Sequence, residues 1–216
     1  MKIPVIINNR DLLTWPKAMI EKIKTYTDVG EIIIVDNGSS YLPLLEWYDR
    51  NPCTIIKASN MGHAGAWISG IVRELDSPFY VVTDSDLGLE DTPDNTLLYL
   101  QEQLETLDLA KIGLGLNWGI VQKKSPYYER LNLYEKDRWL KSPVKNNVYL
   151  EVQVDTTFAL YKSPHYFIGG GSTTFPYVAR HYPWELSIDD VNNNEEFKYY
   201  LQNASSSCSY KQIVAI

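Results

Sequence analysis

The feature that most constrains the fold is a series of short apolar runs, rich in β-branched residues, that end in polar turn residues. Four such runs lie in the first part of the chain, at residues 3–7, 31–35, 54–56 and 79–82. Segments with the spacing of amphipathic helices accompany them, at residues 12–23, 64–75 and 95–107. Runs that are apolar on both faces and alternate with helices are typical of a parallel sheet covered by helices on both sides. The sequence therefore predicts an α/β fold with a mostly parallel central sheet over about residues 1–120.

The second half of the chain shows a less regular pattern. Three further strands are predicted, at residues 111–116, 148–154 and 157–161. We expect the last two to pair with each other, and the three glycines at residues 169–171 to form a mobile loop. The prediction is a single domain over residues 1–216, with a smaller mixed sheet in about residues 121–205 and a linker or domain boundary at 205–216.

The charge balance excludes two classes of partner. The 216 residues include 20 Lys and Arg against 27 Asp and Glu, which gives a formal net charge of −7 at pH 7 and a pI of about 5.0. Proteins that bind nucleic acids or anionic membranes neutralise phosphate groups with a stripe of cationic side chains. The densest basic groups here are short, such as Lys123 and Lys124. We therefore expect no nucleic-acid partner.

Cysteine usage and hydropathy favour a cytoplasmic location. The two cysteines, Cys53 and Cys208, are too few for a disulfide framework or a cysteine-rich zinc site. The apolar run at residues 3–7 is too short for a signal peptide, and no other stretch reaches the roughly 18 apolar residues of a membrane span. We therefore expect no transmembrane segment and a cytoplasmic protein.

Polar residues follow each of the four apolar runs of the first half. Because ligands of open α/β sheets bind beyond the carboxyl ends of the strands, these residues are the first candidates for a binding site. The candidates are Asn8, Asn9 and Arg10 after the first run, Asp36 after the second, Asn60 and Gly62 after the third, and Asp84, Ser85 and Asp86 after the fourth. All four sets are expected along one edge of the sheet.

Asp84 and Asp86 are the most informative of these candidates. Two carboxylates at i and i+2 beyond a buried strand can share one divalent cation, and Mg²⁺ and Mn²⁺ prefer oxygen ligands that substrate phosphates often complete. A solvated turn explains the same pair without a ligand. Asp36 is open to the same two interpretations, because residues 36–39 (Asp-Asn-Gly-Ser) are also good turn formers.

Taken in order, four segments resemble the signature of family-2-type glycosyltransferases with the GT-A fold. They are residues 3–10, 31–40, 60–65 and 81–86, and the resemblance covers about residues 3–120 well and the remainder loosely. It implies a nucleotide-sugar donor, most often a UDP-sugar such as UDP-glucose, bound with Mn²⁺ or Mg²⁺ by the first half. It also implies a carbohydrate acceptor held by the second half, and a chain that is one domain of a longer viral or bacterial glycan-synthesis protein.

The resemblance implies a role for each matching residue. Asp36 matches the carboxylate that hydrogen-bonds the base, and Asn8, Asn9 and Arg10 match the loop that flanks the base. Asn60 and Gly62 match the turn that closes over the nucleoside.

The same family pattern assigns the carboxylate motif. Asp84 matches the residue at the ribose and the metal, Ser85 the residue within the motif, and Asp86 the direct metal ligand. The chain departs from the family after the glycine turn, where Ala-Trp-Ile-Ser at residues 66–69 replaces the usual Ala-Arg-Asn. A basic donor contact is missing there, and Arg10 or Lys57 is expected to replace it.

The acceptor hydroxyl needs a base, which is typically a carboxylate within hydrogen-bond reach. Asp155 follows a predicted strand and is the first candidate, and Asp189 or Asp190 is the second. The alternative interpretation of each of these residues is a solvated turn or a helix cap. The resemblance also suggests His181 as a further ligand of the metal, since imidazole tolerates Mn²⁺ better than Mg²⁺.

The aromatic content of the second half fits a carbohydrate-binding groove. The chain has 16 Tyr, 6 Trp and 5 Phe, and aromatic rings offer apolar faces to the C–H faces of sugars. The candidate groove residues are Trp118, Tyr127, Tyr128, Trp139, Tyr177, Tyr182 and Trp184.

Three functions remain open at this point. The first is a metal-dependent, inverting glycosyltransferase. The second is a sugar nucleotidyltransferase, which usually needs a glycine-rich loop after the first strand, where residues 8–11 contain no glycine. The third is a non-catalytic nucleotide-sugar or glycan-binding module.

Overall fold

The protein is described by a computed structural model that covers residues 1–50, 53–132, 141–152, 154, 156–163, 170–204, 208 and 210–211. The strands are β1 (Ile3–Asn9), β2 (Val29–Asn37), β3 (Thr54–Ala58), β4 (Phe79–Asp84), β5 (Leu87–Gly88), β6 (Lys111–Gly113), β7 (Gly115–Leu116), β8 (Val144–Lys145), β9 (Val148–Val152), β10 (Ala159–Lys162), β11 (Gly170–Thr173) and β12 (Val178–His181). The helices are α1 (Thr14–Ile23), α2 (Leu42–Tyr48), α3 (Gly65–Ile68), α4 (Ile71–Glu74), α5 (Thr96–Thr106), α6 (Tyr128–Arg130), α7 (Tyr182–Glu185), α8 (Ile188–Asn192) and α9 (Glu195–Asn203). The α/β class is therefore confirmed.

The first four strands form a parallel unit. The large sheet of the described residues has the order β3-β2-β1-β4-β10-β6-β11-β9-β8, in which β3, β2, β1 and β4 are mutually parallel. All seven residues of β1 are buried, because β1 lies inside the sheet with packed side chains on both faces. Val5 and Ile7 face one apolar cluster and Ile6 faces the other. This arrangement explains the uninterrupted apolar runs in the sequence.

The rest of the large sheet is mixed, so the sheet is only partly parallel. Strand β10 lies between β4 and β6 and is antiparallel to both. The expected pairing of residues 148–154 with residues 157–161 is wrong, because β9 pairs with β8 and β11 instead. A strand inserted from the second half of the chain thus completes the sheet begun by the first half.

The predicted glycine loop is also wrong for the residues that the structure describes. Gly170 and Gly171 begin the buried strand β11, and Gly169 lies outside the described residues. A Cβ added at Gly170 would lie 2.3 Å from the carbonyl oxygen of Lys111, and one added at Gly171 would lie 2.5 Å from a methyl group of Val148. Glycine is required here by close strand packing and not by flexibility.

A separate three-stranded sheet has the order β5-β12-β7. The single strand expected at residues 111–116 is divided between the two sheets, because β6 joins the large one and β7 the small one. Strand β12 is antiparallel to β5 and parallel to β7. The small sheet therefore connects the residues just after β4 with the residues just after β6.

The helices cover the sheet with apolar faces. Helix α1 buries Pro16, Met19, Ile20 and Ile23. The expected helix at residues 64–75 is interrupted, because a 3₁₀ turn at Gly62–Ala64 precedes α3 and because Gly70, with a φ of 87°, separates α3 from α4. No helix in the described part of the chain is both long and apolar enough to cross a membrane.

The C-terminal part of the described chain packs against the first half. Phe197 and Leu201 of α9 share an apolar cluster with Leu12, Tyr127 and Tyr210. Tyr210 is 1% exposed. The linker at 205–216 stays a prediction, since most of these residues lie outside the described part.

Candidate functional site

The polar residues that follow the parallel strands meet at one edge of the sheet. Asn8 lies opposite Asp84 across β1 and β4, and Asn9 lies opposite Asp36 across β1 and β2. Lys57 of β3 lies opposite Asp36 on its other side. Since neighbouring strands lie roughly 4.8 Å apart, residues far apart in sequence become neighbours here. The expected common edge is present.

Asp36 is a buried carboxylate held by its own turn. It is 3% exposed, and it accepts hydrogen bonds from the Ser39 hydroxyl, from the Ser39 N–H at 3.4 Å and from the Tyr48 hydroxyl at 3.4 Å. Burial raises the pKa of Asp36, and the nearby Asp11 raises it further. Asn9 is buried as well and donates to the Tyr48 hydroxyl at 2.9 Å. The role of Asp36 and Asn9 toward a base stays a prediction.

Asp11 is a buried residue at this edge that the sequence reasoning missed. Its carboxylate accepts hydrogen bonds from the N–H groups of Ser40 at 2.6 Å and Tyr41 at 2.9 Å, and it therefore ties the loop after β1 to the loop after β2. Its other oxygen lies 3.7 Å from Nε of Arg10. The backbone of Asp11 has a φ of 53°, a conformation that is rare outside glycine. The polar run at residues 8–11 was the one available signal.

The glycine turn is anchored by two asparagines. The side chains of Asn8 and Asn37 donate to the Gly62 carbonyl at 3.2 and 3.0 Å, and Asn37 also donates to the Asn8 side chain. The Asn60 side chain accepts from the Gly62 N–H at 3.0 Å. A Cβ at Gly65 would lie 2.6 Å from Oδ1 of Asn8. Asn8 thus fixes the position of the turn, while Asn60 and Gly62 are exposed beside it.

Asp84 ends β4 and is held from the second half of the chain. Its N–H donates to the Thr156 carbonyl at 2.9 Å, and the Thr156 hydroxyl donates to its carboxylate. Ser85, which follows it, is 4% exposed. These contacts fix the start of the turn that carries the carboxylate pair.

Asp86 lies beside His181. Nε2 of His181 lies 3.6 Å from Oδ2 of Asp86, and both side chains are less than one-fifth exposed. The pairing of His181 with Leu87 across β12 and β5 produces this approach, together with a 3.1 Å hydrogen bond from the Tyr182 N–H to the Asp86 carbonyl. Two residues 95 positions apart in sequence are thereby brought together.

The donor set of this pair fits a hard divalent cation. Oδ1 of Asp86 is buried and has no hydrogen-bond partner among the described residues, so a carboxylate oxygen is available next to an imidazole nitrogen. The described residues contain no group of three or more His, Cys, Asp or Glu side chains arranged around one point. Mg²⁺ and Mn²⁺ sites commonly use few protein ligands and complete their shell with substrate phosphates and water. The pair is thus suited to a cation that arrives with a phosphate ligand.

Tyr200 of α9 is a second residue that the sequence reasoning missed. Its ring stacks on Phe197 at a centroid distance of 5.5 Å. Burial raises the pKa of Tyr200, and the charges of Cys208, Asp86 and Asp84 raise it further. Tyr200 thus packs with the apolar cluster of Phe197 and Leu201, within electrostatic range of the carboxylate motif.

The candidate bases are placed differently from one another. Asp155 lies outside the described residues. Asp189 is exposed in the first turn of α8. Asp190 forms a capping box with Ser187 and an ion pair of 3.1 Å with Lys124, and the hydrogen bonds from Ser187 lower the pKa of Asp190 to about 2. The helix-cap interpretation accounts for Asp190, while Asp155 and Asp189 stay predictions.

Most of the described candidate groove aromatics pack against other parts of the protein. Tyr127 is 2% exposed, Tyr177 stacks on Tyr99 at 3.7 Å, and Tyr182 stacks on Trp15 at 5.3 Å. Trp139 lies outside the described residues. Trp118 also packs in part against the apolar cluster of Phe197 and Leu201, and in addition it lines a surface pocket.

Comparison with known proteins gives distant structural likenesses. No protein-family model matches the sequence, and no curated protein matches it. The structure is similar to TarS from S. aureus, with a TM-score of 0.49 and 11% identity, over 100% of this chain and 42% of that one. It is also similar to glucosyl-3-phosphoglycerate synthase from Mycobacterium tuberculosis, crystallised with Mn²⁺, UDP-glucose and phosphoglyceric acid. That likeness has a TM-score of 0.46 and 14% identity, over 74% of this chain and 56% of that one.

The chain spans less than half of the TarS chain and little more than half of the synthase chain. Likenesses at these values do not assign an activity to this protein.

Proposed function

We propose that the protein is a metal-dependent glycosyltransferase with the GT-A fold. It transfers a hexose from a UDP-sugar to a hydroxyl of a glycan acceptor, with inversion. The observation that carries the proposal is the approach of His181 Nε2 to Asp86 Oδ2, at 3.6 Å, beyond the carboxyl ends of four parallel strands. The resemblance of the four strand-end segments to family-2-type glycosyltransferases supports it independently.

The proposed roles follow from the positions of the side chains. Asp86 and His181 would hold Mn²⁺ or Mg²⁺, and Asp84, which begins the same turn and accepts a hydrogen bond from Thr156, would contact the ribose. When bound, the cation would supply Lewis-acid stabilisation of the leaving diphosphate. The buried carboxylate of Asp36 hydrogen-bonds the base of the nucleotide. The turn that contains Asn60 and Gly62 covers the nucleoside. These groups bind and orient the donor, and the turn is held in place by side chains that the fold already fixes.

The acceptor hydroxyl must lose a proton as the new bond forms. A carboxylate on the acceptor side accepts it, and Asp155 is our first candidate and Asp189 the second. Asp155 directly precedes Thr156 in the sequence, and Thr156 is hydrogen-bonded to Asp84. We further propose a cytoplasmic location and a longer parent protein.

Thermal stability with UDP and Mn²⁺ tests the donor site directly. Ligands that bind only the folded state raise the melting temperature, here by about 5–10 °C at a concentration about 100 times the dissociation constant. Asp86→Asn should remove the metal-dependent part of this rise. Asp76→Asn is the matched control, because Asp76 is exposed in the loop before β4. The donor-binding proposal is wrong if no rise occurs with UDP and Mn²⁺ together, or if Asp86→Asn keeps the full rise.

Product analysis separates transfer from the other two functions. UDP-glucose and Mn²⁺ are the first donor and metal to use, since they are also the ligands named for the mycobacterial structure. A glycosyltransferase releases UDP from the UDP-sugar, and release quickens with a suitable acceptor. Binding without UDP release indicates a non-catalytic module, and formation of a UDP-sugar from UTP and a sugar phosphate indicates a nucleotidyltransferase.

A further inference from the structure

A surface pocket lies at the far end of the small sheet from the carboxylate motif. Its volume is about 260 Å³. The walls are β7, the 3₁₀ turn at Trp118–Ile120, Tyr149 of β9 and the connection between β11 and β12. The side chains that line it and matter most are Asn117, Trp118, Tyr149, Thr174 and Phe175.

Phe175 is the most unusual of these residues. It is 81% exposed, although a phenylalanine gains stability when it is buried. The segment that carries it is held by hydrogen bonds, from the Thr174 N–H to the Asn147 carbonyl and from the Tyr177 N–H to the Thr174 carbonyl, each at 3.0 Å. The Thr173 hydroxyl also donates to the Tyr177 carbonyl. The backbone on both sides of Phe175 is thus fixed by hydrogen bonds, and its ring is exposed at the edge of the pocket.

The lining of the pocket selects the chemistry of that ligand. The lining residues include aromatic rings and short amide and hydroxyl side chains, and none of the described residues that line it is charged. Sugar rings combine C–H faces, which pack on aromatic rings, with hydroxyl groups, which bond to amides and hydroxyls. A phosphorylated or carboxylated ligand would leave its charge without a counter-charge in this pocket. The volume is slightly below the usual range for drug-sized ligands, which suits a single ring.

The small sheet sets the distance between the pocket and the carboxylate motif. Val178 lines the pocket, and His181, three residues further along β12, adjoins Asp86. Three residues of a strand span roughly 10 Å. The pocket is therefore separate from the point of transfer and yet within reach of a ligand of a few sugar units.

We infer that this pocket binds one neutral pyranose unit of the acceptor glycan, at a position remote from the hydroxyl that reacts. That the sugar belongs to an acceptor glycan rests on the proposed function. That the pocket binds a neutral sugar rests on the pocket alone. It implies that an oligosaccharide binds better than a monosaccharide, because only the longer ligand reaches both places.

Nuclear magnetic resonance tests the pocket without nucleotide or metal. The probes are the methyl pyranosides of glucose, galactose, mannose and N-acetylglucosamine, added separately to the labelled protein. At least one of them should shift the amide resonances of Gly115 and Gly119 and the indole N–H resonance of Trp118, which line the pocket. The inference is overturned if none of the four probes shifts these resonances.

A pair of variants tests the contribution of Phe175. Phe175→Ala should weaken binding of the active pyranoside by about threefold to tenfold, the effect of losing one favourable ring contact. Leu42→Ala is the control, since Leu42 is 69% exposed on α2 and outside the pocket. Equal binding by Phe175→Ala and the parent protein would overturn the inference. A circular dichroism spectrum and a melting curve of each variant show that the fold is retained.

The two proposals fail separately. Sugar binding in the pocket without any effect of UDP and Mn²⁺ would leave a glycan-binding module. A UDP and Mn²⁺ effect without sugar binding would retain the donor site and overturn the pocket.

Discussion

Helix α1 begins without a capping side chain of its own, and Glu196 of α9 acts as its cap. The Leu13 residue before the helix offers no side-chain cap. Instead, the Glu196 carboxylate accepts hydrogen bonds from the N–H groups of Leu13 at 2.7 Å and Thr14 at 2.9 Å, and from the Thr14 hydroxyl at 2.6 Å. A carboxylate at a helix N-terminus also interacts favourably with the helix dipole. Glu196 thus connects the C-terminal helix to the first helix of the sheet.

The magnitude follows from the three lost bonds and their exposure. Loss of an N-cap costs about 1 kcal/mol, and loss of the dipole interaction costs roughly 0.3–1 kcal/mol. The third bond, from the exposed Thr14 hydroxyl, adds little because water replaces it. We expect Glu196→Ala to lower the free energy of unfolding by about 2 kcal/mol and the melting temperature by about 4–8 °C. Glu196→Gln keeps an acceptor oxygen and loses the charge, so it should lower stability by about half as much.

The control is the neighbouring residue of the same type. Glu195 is 85% exposed and pairs with Lys198 on the surface of the same helix. Glu195→Ala should change stability by less than about 0.5 kcal/mol, because exposed ion pairs contribute little. Both substitutions change helix propensity equally, and urea unfolding followed by circular dichroism measures the difference. Equal midpoints for Glu195→Ala and Glu196→Ala would refute the capping argument.

Two further predictions concern the sheet and its edge. Gly170→Ala should destabilise the protein by about 2 kcal/mol or more, because the added Cβ lies 2.3 Å from the Lys111 carbonyl oxygen. Gly119→Ala is the control and should not destabilise it, because the nearest atom to the added Cβ is 3.5 Å away. Equal free energies of unfolding of the two variants in urea would contradict this prediction. Since burial raises the pKa of Asp36 in the folded protein, the folded state binds more protons there than the unfolded state, and stability from this group falls as pH rises from about 4 through the raised pKa. The melting temperature of Asp36→Asn minus that of the parent protein should therefore rise over that pH interval. If this difference stays constant or falls, the pKa of Asp36 is not raised in the folded protein.

The parallel part of the fold could be predicted because its signal is local. Residues 3–7 and 79–82 are apolar without interruption, since both faces of these strands are covered, and the next residues must be polar where the strands emerge. The common edge follows from topology alone. The same reasoning selected Asp84 and Asp86, whose role stays a prediction, and the structure places His181 next to Asp86.

The parts that could not be predicted depend on distant partners. The sequence of β10 does not indicate that its partners are β4 and β6, because strand pairing depends on packing across the whole sheet. The glycines of β11 are typical of a loop when the sequence is read alone. The structure explains them, because the carbonyl of Lys111 and a methyl group of Val148 leave no room for a Cβ there. Glu196 caps a helix that begins 182 residues earlier, so no local capping pattern is visible near α1.

Under the proposed function, the charges at the edge would couple the binding of a nucleotide diphosphate to the binding of a divalent cation. Asp11, Asp36, Asp84 and Asp86 all lie there, and the cation nearest to His181 in sequence, Arg180, is already paired with Glu185 and, at 2.8 Å, with Glu90. A diphosphate that enters alone would meet mostly carboxylates, with Arg10 beside Asp11 and Lys57 opposite Asp36 as partial compensation. A divalent cation that binds with the diphosphate would reverse this balance, because it would add two positive charges beside the buried Oδ1 of Asp86. Bound metal then raises the affinity for the nucleotide, and bound nucleotide raises the affinity for the metal by the same factor, since coupling between two ligands of one protein is reciprocal. An acidic site can therefore bind a negatively charged diphosphate when the diphosphate binds together with a divalent cation.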